Sequence, residues 1–124
     1  MFNVNGETGD IICRQGDSGE LVLEGIPEDH NYEAYFSFYN NKRVIIKEIS
    51  AATLDGQVTF HIAPSMTDVL VVPNGTPFAT YFYGVKLCYR DEEGLDHEDT
   101  VLIGEKSIGE VNKVIVYPKI VEGY

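Results

Sequence analysis

The residues Gly16-Asp17-Ser18-Gly19 set a serine beside a carboxylate and between glycines, an arrangement in which a hydroxyl nucleophile can be presented. Such a serine needs a base to take its proton and a third group to orient that base. Only 17 residues precede Ser18 and none is a histidine, while His30, His61 and His97 all follow. Glu20 stands where a further glycine would open space for an oxyanion. Gly, Asp and Ser are also turn formers, each for its own backbone reason. Here they separate the runs Asp10-Ile11-Ile12-Cys13 and Leu21-Val22-Leu23. Ser18 is expected in a turn, without a catalytic role.

The segment from Asp91 to Asp99 holds six carboxylates that could offer oxygens to a cation. A calcium loop needs acids at alternate positions leading to a glycine at the sixth, and five residues back from Gly94 stands Tyr89. The segment therefore reads as a solvated hairpin loop between a strand Tyr81–Arg90 and one opening at Thr100. The three histidines are far apart and join no cysteine cluster, so no zinc signature arises. His61 alternates onto the polar side of its run, and His30 and His97 fall in polar turns. Gly16, Gly19 and Gly25 are spaced for turns, not for a phosphate cradle between strand and helix. No catalytic residue, metal or cofactor is expected.

Aromatic residues carry the remaining signal. Tyr32, Tyr35, Phe36, Phe38 and Tyr39 fall on one run, and Tyr81, Phe82, Tyr83 and Tyr89 on another. Alternation sends Phe36, Phe38, Tyr81 and Tyr83 inward and turns Tyr35 and Tyr39 to the opposite face with Glu33 and Ser37. The next run adds Val44, Ile45, Ile46 and Ile49, of which either Val44 and Ile46 or Ile45 and Ile49 face outward, depending on register. A two-layer domain cannot hide all four unless something covers the outer face. Tyr35, Tyr39, Val44, Ile45, Ile46 and Ile49 are thus the candidate interface. Exposed Tyr on a sheet is typical of protein interfaces. It also suits sugar binding, although the chain has no Trp to strengthen that reading.

Period-two alternation recurs in the elements that must carry these residues. It is seen at 20–24, 33–39, 57–62 and 80–89, with further β-rich runs at Arg43–Ile49 and Val114–Tyr117. Turn chemistry separates the runs at Gly25–Asp29, Asn40–Lys42, Asp55-Gly56, Pro73–Gly75 and Glu93-Gly94. Helical periodicity is confined to Pro64–Leu70, where Ser65 is the expected N-cap and Asp68 its capping-box acid. The residues after Pro118 read as an outgoing strand or tail. Seven to nine short strands in 124 residues predict one all-β domain over 1–124, an antiparallel sandwich with a short helical turn near 65–70. The expected core is Leu21, Leu23, Phe36, Phe38, Val58, Phe60, Ile62, Tyr81, Tyr83, Val85 and Leu87.

A net charge of −11, from nine basic and twenty acidic side chains, excludes the cation density that nucleic acid or an anionic membrane requires. No stretch approaches the ~20 apolar residues of a membrane span. MFNVNGETGD has neither the basic start nor the apolar core of a signal peptide. Cys13 and Cys88 are then expected as free, half-buried thiols in a reducing compartment, the alternative being a disulfide if strands bring the two together.

From Gly56 onward the chain resembles the immunoglobulin-like N-terminal domain of tailed-phage baseplate upper proteins. The residues that carry the resemblance are Thr67 and Leu70 of the helical turn, Pro73 and Gly75 of the next turn, Tyr81-x-Tyr83-x-Val85-x-Leu87, then Thr100 and Gly104. RQGDSGELVL is similar to the family's early strand. Two departures are Gly84, where the family's central strand usually carries Asp, and the end at Tyr124, where longer members continue into a receptor-binding region. The resemblance implies an immunoglobulin-like sandwich and a non-enzymatic virion structural protein of phage or prophage, made in the bacterial cytoplasm. Its expected partners are further copies of itself and other virion proteins. The alternative is a carbohydrate-binding module using the surface tyrosines.

Overall fold

The computed structural model describes residues 2–101, 103 and 111–119, so Gly104 and the chain beyond Lys119 lie outside the described residues. Nine strands and one short helix are formed within them: β1 (Asn3–Val4), β2 (Ile11–Arg14), β3 (Gly19–Leu23), β4 (Glu33–Tyr39), β5 (Ile45–Ala52), β6 (Val58–Ile62), α1 (Pro64–Asp68), β7 (Ala79–Arg90), β8 (Asp96–Val101) and β9 (Asn112–Tyr117). They make an all-β sandwich of two unequal sheets. The large sheet runs β1-β2-β9-β7-β4-β5, with β8 also on β7, and the small sheet is β3-β6. β7 is the spine: its first half pairs with β9 and its second half with β8, while β4 lines its opposite edge.

Alternation places the core as expected, because a one-residue slip would turn each set to solvent. Phe36, Phe38, Phe60, Val58, Ile62, Tyr83, Val85, Leu87 and Leu21 are buried, whereas Leu23 and Tyr81 are half-buried at its margin. Ile11, Cys13, Val114 and Val116 complete the core from β2 and β9.

The antiparallel expectation needs one correction: β2 and β9 run parallel, with Ile11 opposite Val114 and Cys13 opposite Val116. Alternation shows which side a residue faces and says nothing about which strand lies beside it. Three other boundaries differ. β8 opens at Asp96, not Thr100, so the loop is only Asp91–Leu95 and His97 lies on a strand. β5 starts at Ile45, leaving Arg43 and Val44 in the preceding turn, and it runs on to Ala52. In α1, Ala63 is the N-cap with Pro64 at the first position, and no side chain caps the helix. Asp68 instead pairs with Lys119. Proline's fixed φ suits a first helical position, and it sets the start two residues earlier than a Ser65 cap would.

Candidate functional site

Ser18 is exposed between the Gln15-Gly16 turn and β3, and no histidine bonds it. The Asp17 carboxylate accepts the backbone N–H of Arg14 at 2.9 Å, closing the turn. The buried Thr67 hydroxyl donates to the Asp17 carbonyl at 2.7 Å, bolting the turn onto α1. His61, on β6, contacts Glu20 across the small sheet at 3.2 Å. Turn residues and histidine therefore make no nucleophile and base.

The acidic hairpin is a capped turn. Asp91 accepts the N–H groups of Glu93 and Leu95, each at 2.9 Å, and the His97 Nε2–H at 2.7 Å. The His97 bond first and these backbone bonds next hold Asp91 below the usual carboxylate range. Behind it, Tyr89 lies between two imidazoles, His30 at 3.8 Å and His97 at 4.6 Å, both rings nearly parallel to it. Sequence reasoning missed this stack, since residues 30, 89 and 97 are joined only by the fold. Cys13 is buried and Cys88 half-buried, both free. Among the described residues no three His, Cys, Asp or Glu side chains are grouped to hold a metal.

The outer face of the large sheet faces away from the β3-β6 layer. Its two halves differ in chemistry. Toward the end of β4 and the start of β7 it is apolar. Tyr39 lies opposite Ile45 on one side and Phe82 on the other, forming a cross-strand row. The next row continues it through Ile115 and Ile12, which face each other across β9 and β2. Phe78 and Tyr117 close the belt with their rings 6.0 Å apart. Ile12, Ile45 and Phe78 are each nearly half exposed. Alternation sends these residues outward because Ile11, Cys13, Phe38, Tyr83, Val114 and Val116 point inward.

The other half is polar. A hollow of about 470 Å³ is bounded by Glu33 and Tyr35 of β4, Lys86, Cys88 and Arg90 of β7, and Asp96 and Glu98 of β8. Lys86 pairs with Glu98 at 3.4 Å and sits 5.4 Å from the Tyr35 ring centre. Arg90 pairs with Asp96 at 3.0 Å. Between the halves runs the row Glu48, Ser37 and Gly84, where the Ser37 hydroxyl donates to Glu48 at 2.6 Å. A Cβ on Gly84 would lie 3.6 Å from the edge of the Tyr39 ring, an ordinary contact, so the ring packs over this position without requiring a glycine.

Of the candidate interface, Tyr35, Tyr39 and Ile45 lie on this outer face, and Val44 is exposed beside it. Ile46 and Ile49 do not belong to the patch, because both pack against the core. The cause is a bulge: Phe38 pairs with Lys47 and Tyr39 with Ile45, so Ile46 is the extra residue and both alternation schemes fail across it. Ile12, Phe78, Phe82, Ile115 and Tyr117 were missed. They become one surface only when β2, β9 and β7 align, although alternation in β2 and β9 already marks Ile12 and Ile115 as outward. The chain matches no protein-family profile and no characterised protein.

Proposed function

We propose that this chain is a non-enzymatic structural subunit that works by protein–protein docking through the apolar belt of its large sheet, as a virion component of a phage or prophage. One observation carries the docking reading. Seven apolar side chains from five strands and their flanks share an outer face that no described element covers. Contiguous patches of this kind usually mark interaction sites. The edge is a poorer docking route. Lys47 faces the inner side of edge strand β5 next to a bulge, and inward charges and bulges are how sheet edges resist pairing. The virion setting rests on the resemblance of residues 56–118 and of RQGDSGELVL to the baseplate domain. Light scattering on the chain, alone and with the products of its neighbouring genes, tests the reading. The wild type should associate, and Tyr39→Lys with Ile45→Lys should not. A wild type that binds nothing encoded around it would overturn the proposal.

The polar hollow favours a second reading, a carbohydrate site. Tyr35 offers one ring, and Glu33 and Asn31 offer groups that hydrogen-bond hydroxyls. Tyr39 cannot join it as a platform, being four residues and roughly 13 Å along the strand. A glycan-array signal lost in Tyr35→Ala and kept in Tyr39→Lys would move this reading ahead of docking.

A further inference from the structure

Cations stand on the rim of the belt, where the nearby carboxylates are already engaged, Glu48 by the Ser37 hydroxyl and Asp10 by the Lys113 backbone N–H. The chain carries −11, yet Lys42 and Arg43 stand in the turn leading into Ile45, and Lys113 lies opposite Phe82. None of these three cations has an ion pair among the described residues. An apolar surface with free cations on its rim fits an apolar group with carboxylates beside it.

The same molecule presents such a group at its other end. Leu95 is 59% exposed at the tip of the β7–β8 hairpin. Asp91 and Asp96 are engaged by His97 and Arg90, but Glu92 and Glu93 pair with nothing among the described residues. The two backbone bonds to Asp91 fix the tip in advance, so little ordering remains to oppose binding. Eight residues of β7 separate Phe82 from Arg90, roughly 26 Å of strand. The hairpin therefore cannot reach the belt of its own molecule.

Building on the docking reading above, we propose that the belt receives the β7–β8 hairpin tip of a second copy of this chain. Leu95 seats against Tyr39 and Phe82, and Glu92 and Glu93 meet Lys42, Arg43 and Lys113. The two surfaces differ, so the contact is head-to-tail and propagates into a ring or a filament depending on whether the rotation closes. A hairpin tip covers less than a standard interface, which places association at roughly micromolar concentration or weaker, strengthened at low salt.

Light scattering on the full chain from about 10 µM to 1 mM, at low and at high salt, tests this. The wild type should gain mass with concentration. Lys42→Glu with Arg43→Glu should weaken association about tenfold or more, as should Glu92→Lys with Glu93→Lys. Combining all four should restore it, because the charges are exchanged. Circular dichroism establishes that each variant is folded. Failure of the combination to restore association, or a wild type monomeric throughout, overturns the hairpin contact. The docking reading is judged apart, by whether Tyr39→Lys with Ile45→Lys abolishes binding to neighbouring-gene products. A benzophenone side chain at position 95 adds geometry. Crosslinks to the peptides of Tyr39 or Phe82 are expected, and crosslinks confined to another hairpin would overturn the contact.

Discussion

At the scale of single residues, the polar side chains of this molecule mostly hold the fold. The buried Tyr83 hydroxyl donates to the Gly9 carbonyl, and Asn112 Nδ2 donates to the carbonyls of Thr8 and Ile103, each at 3.1 Å. Gly9 has φ +77, and a Cβ there would come within 2.7 Å of Asn112 Nδ2 and 2.8 Å of Ile103 Cγ2. Gly9→Ala should therefore cost about 2 kcal/mol or more, seen as a lower denaturant midpoint. Gly25→Ala, whose Cβ would meet nothing within 4 Å, should cost only the strain of its φ of +75. Ser18 should remain unlabelled by a fluorophosphonate, and Ser18→Ala should shift stability by no more than about 0.5 kcal/mol. Burial first, and the Asp17 carboxylate second, push the Cys13 thiol up to about 11. Its unfolded counterpart ionises near 9 while the folded thiol keeps its proton, so stability falls as pH rises from about 9 to about 11. Denaturant midpoints across that range should decline less steeply in Cys13→Ala.

Among the elements, β5 and β7 divide the work. β7 receives β9 and β8 in succession along one edge, so it is the strand on which both halves of the outer face meet. Burying an unpaired charge in the core between the sheets should unfold the domain, as Phe60→Asp, at the residue packed on Phe36, would show by loss of the thermal transition. β5 is an edge strand whose bulge and Lys47 discourage pairing with other strands. Lys47→Val should then promote slow aggregation that rises with concentration and binds thioflavin T. If Lys47→Val stays as soluble as the wild type for weeks, the bulge alone guards the edge.

For the whole molecule, charge and belt act in opposition. The −11 charge keeps copies apart and the apolar face draws them together. Repulsion vanishes near the isoelectric point of about 4.5, where turbidity should peak. Tyr39→Lys with Ile45→Lys should flatten that peak. Asp91 and Asp96 are held below the ordinary carboxylate range, chiefly by their bonds to His97 and Arg90. Their contribution is present above pH ~4 and is lost as pH falls through their lowered values, so acid unfolding should follow the turbidity peak rather than precede it. Melting curves between pH 5 and pH 2 check the order.

The amino-acid sequence by itself determined the class of fold, the inward residues of β3, β4, β6 and β7, and the outward turn of Tyr35 and Tyr39. These follow from a two-residue period that any sheet must obey, and the turns follow from local backbone preference. Three features were decided only by tertiary structure. The parallel pairing of β2 with β9 depends on which strands become neighbours, and no local period carries that. The inward packing of Ile46 and Ile49 depends on a bulge, because one extra residue reverses the alternation on its far side. The belt itself joins Ile12, Tyr39, Ile45, Phe82 and Ile115 from five strands, each unremarkable alone, and contiguity across a sheet exists only once the strands are side by side.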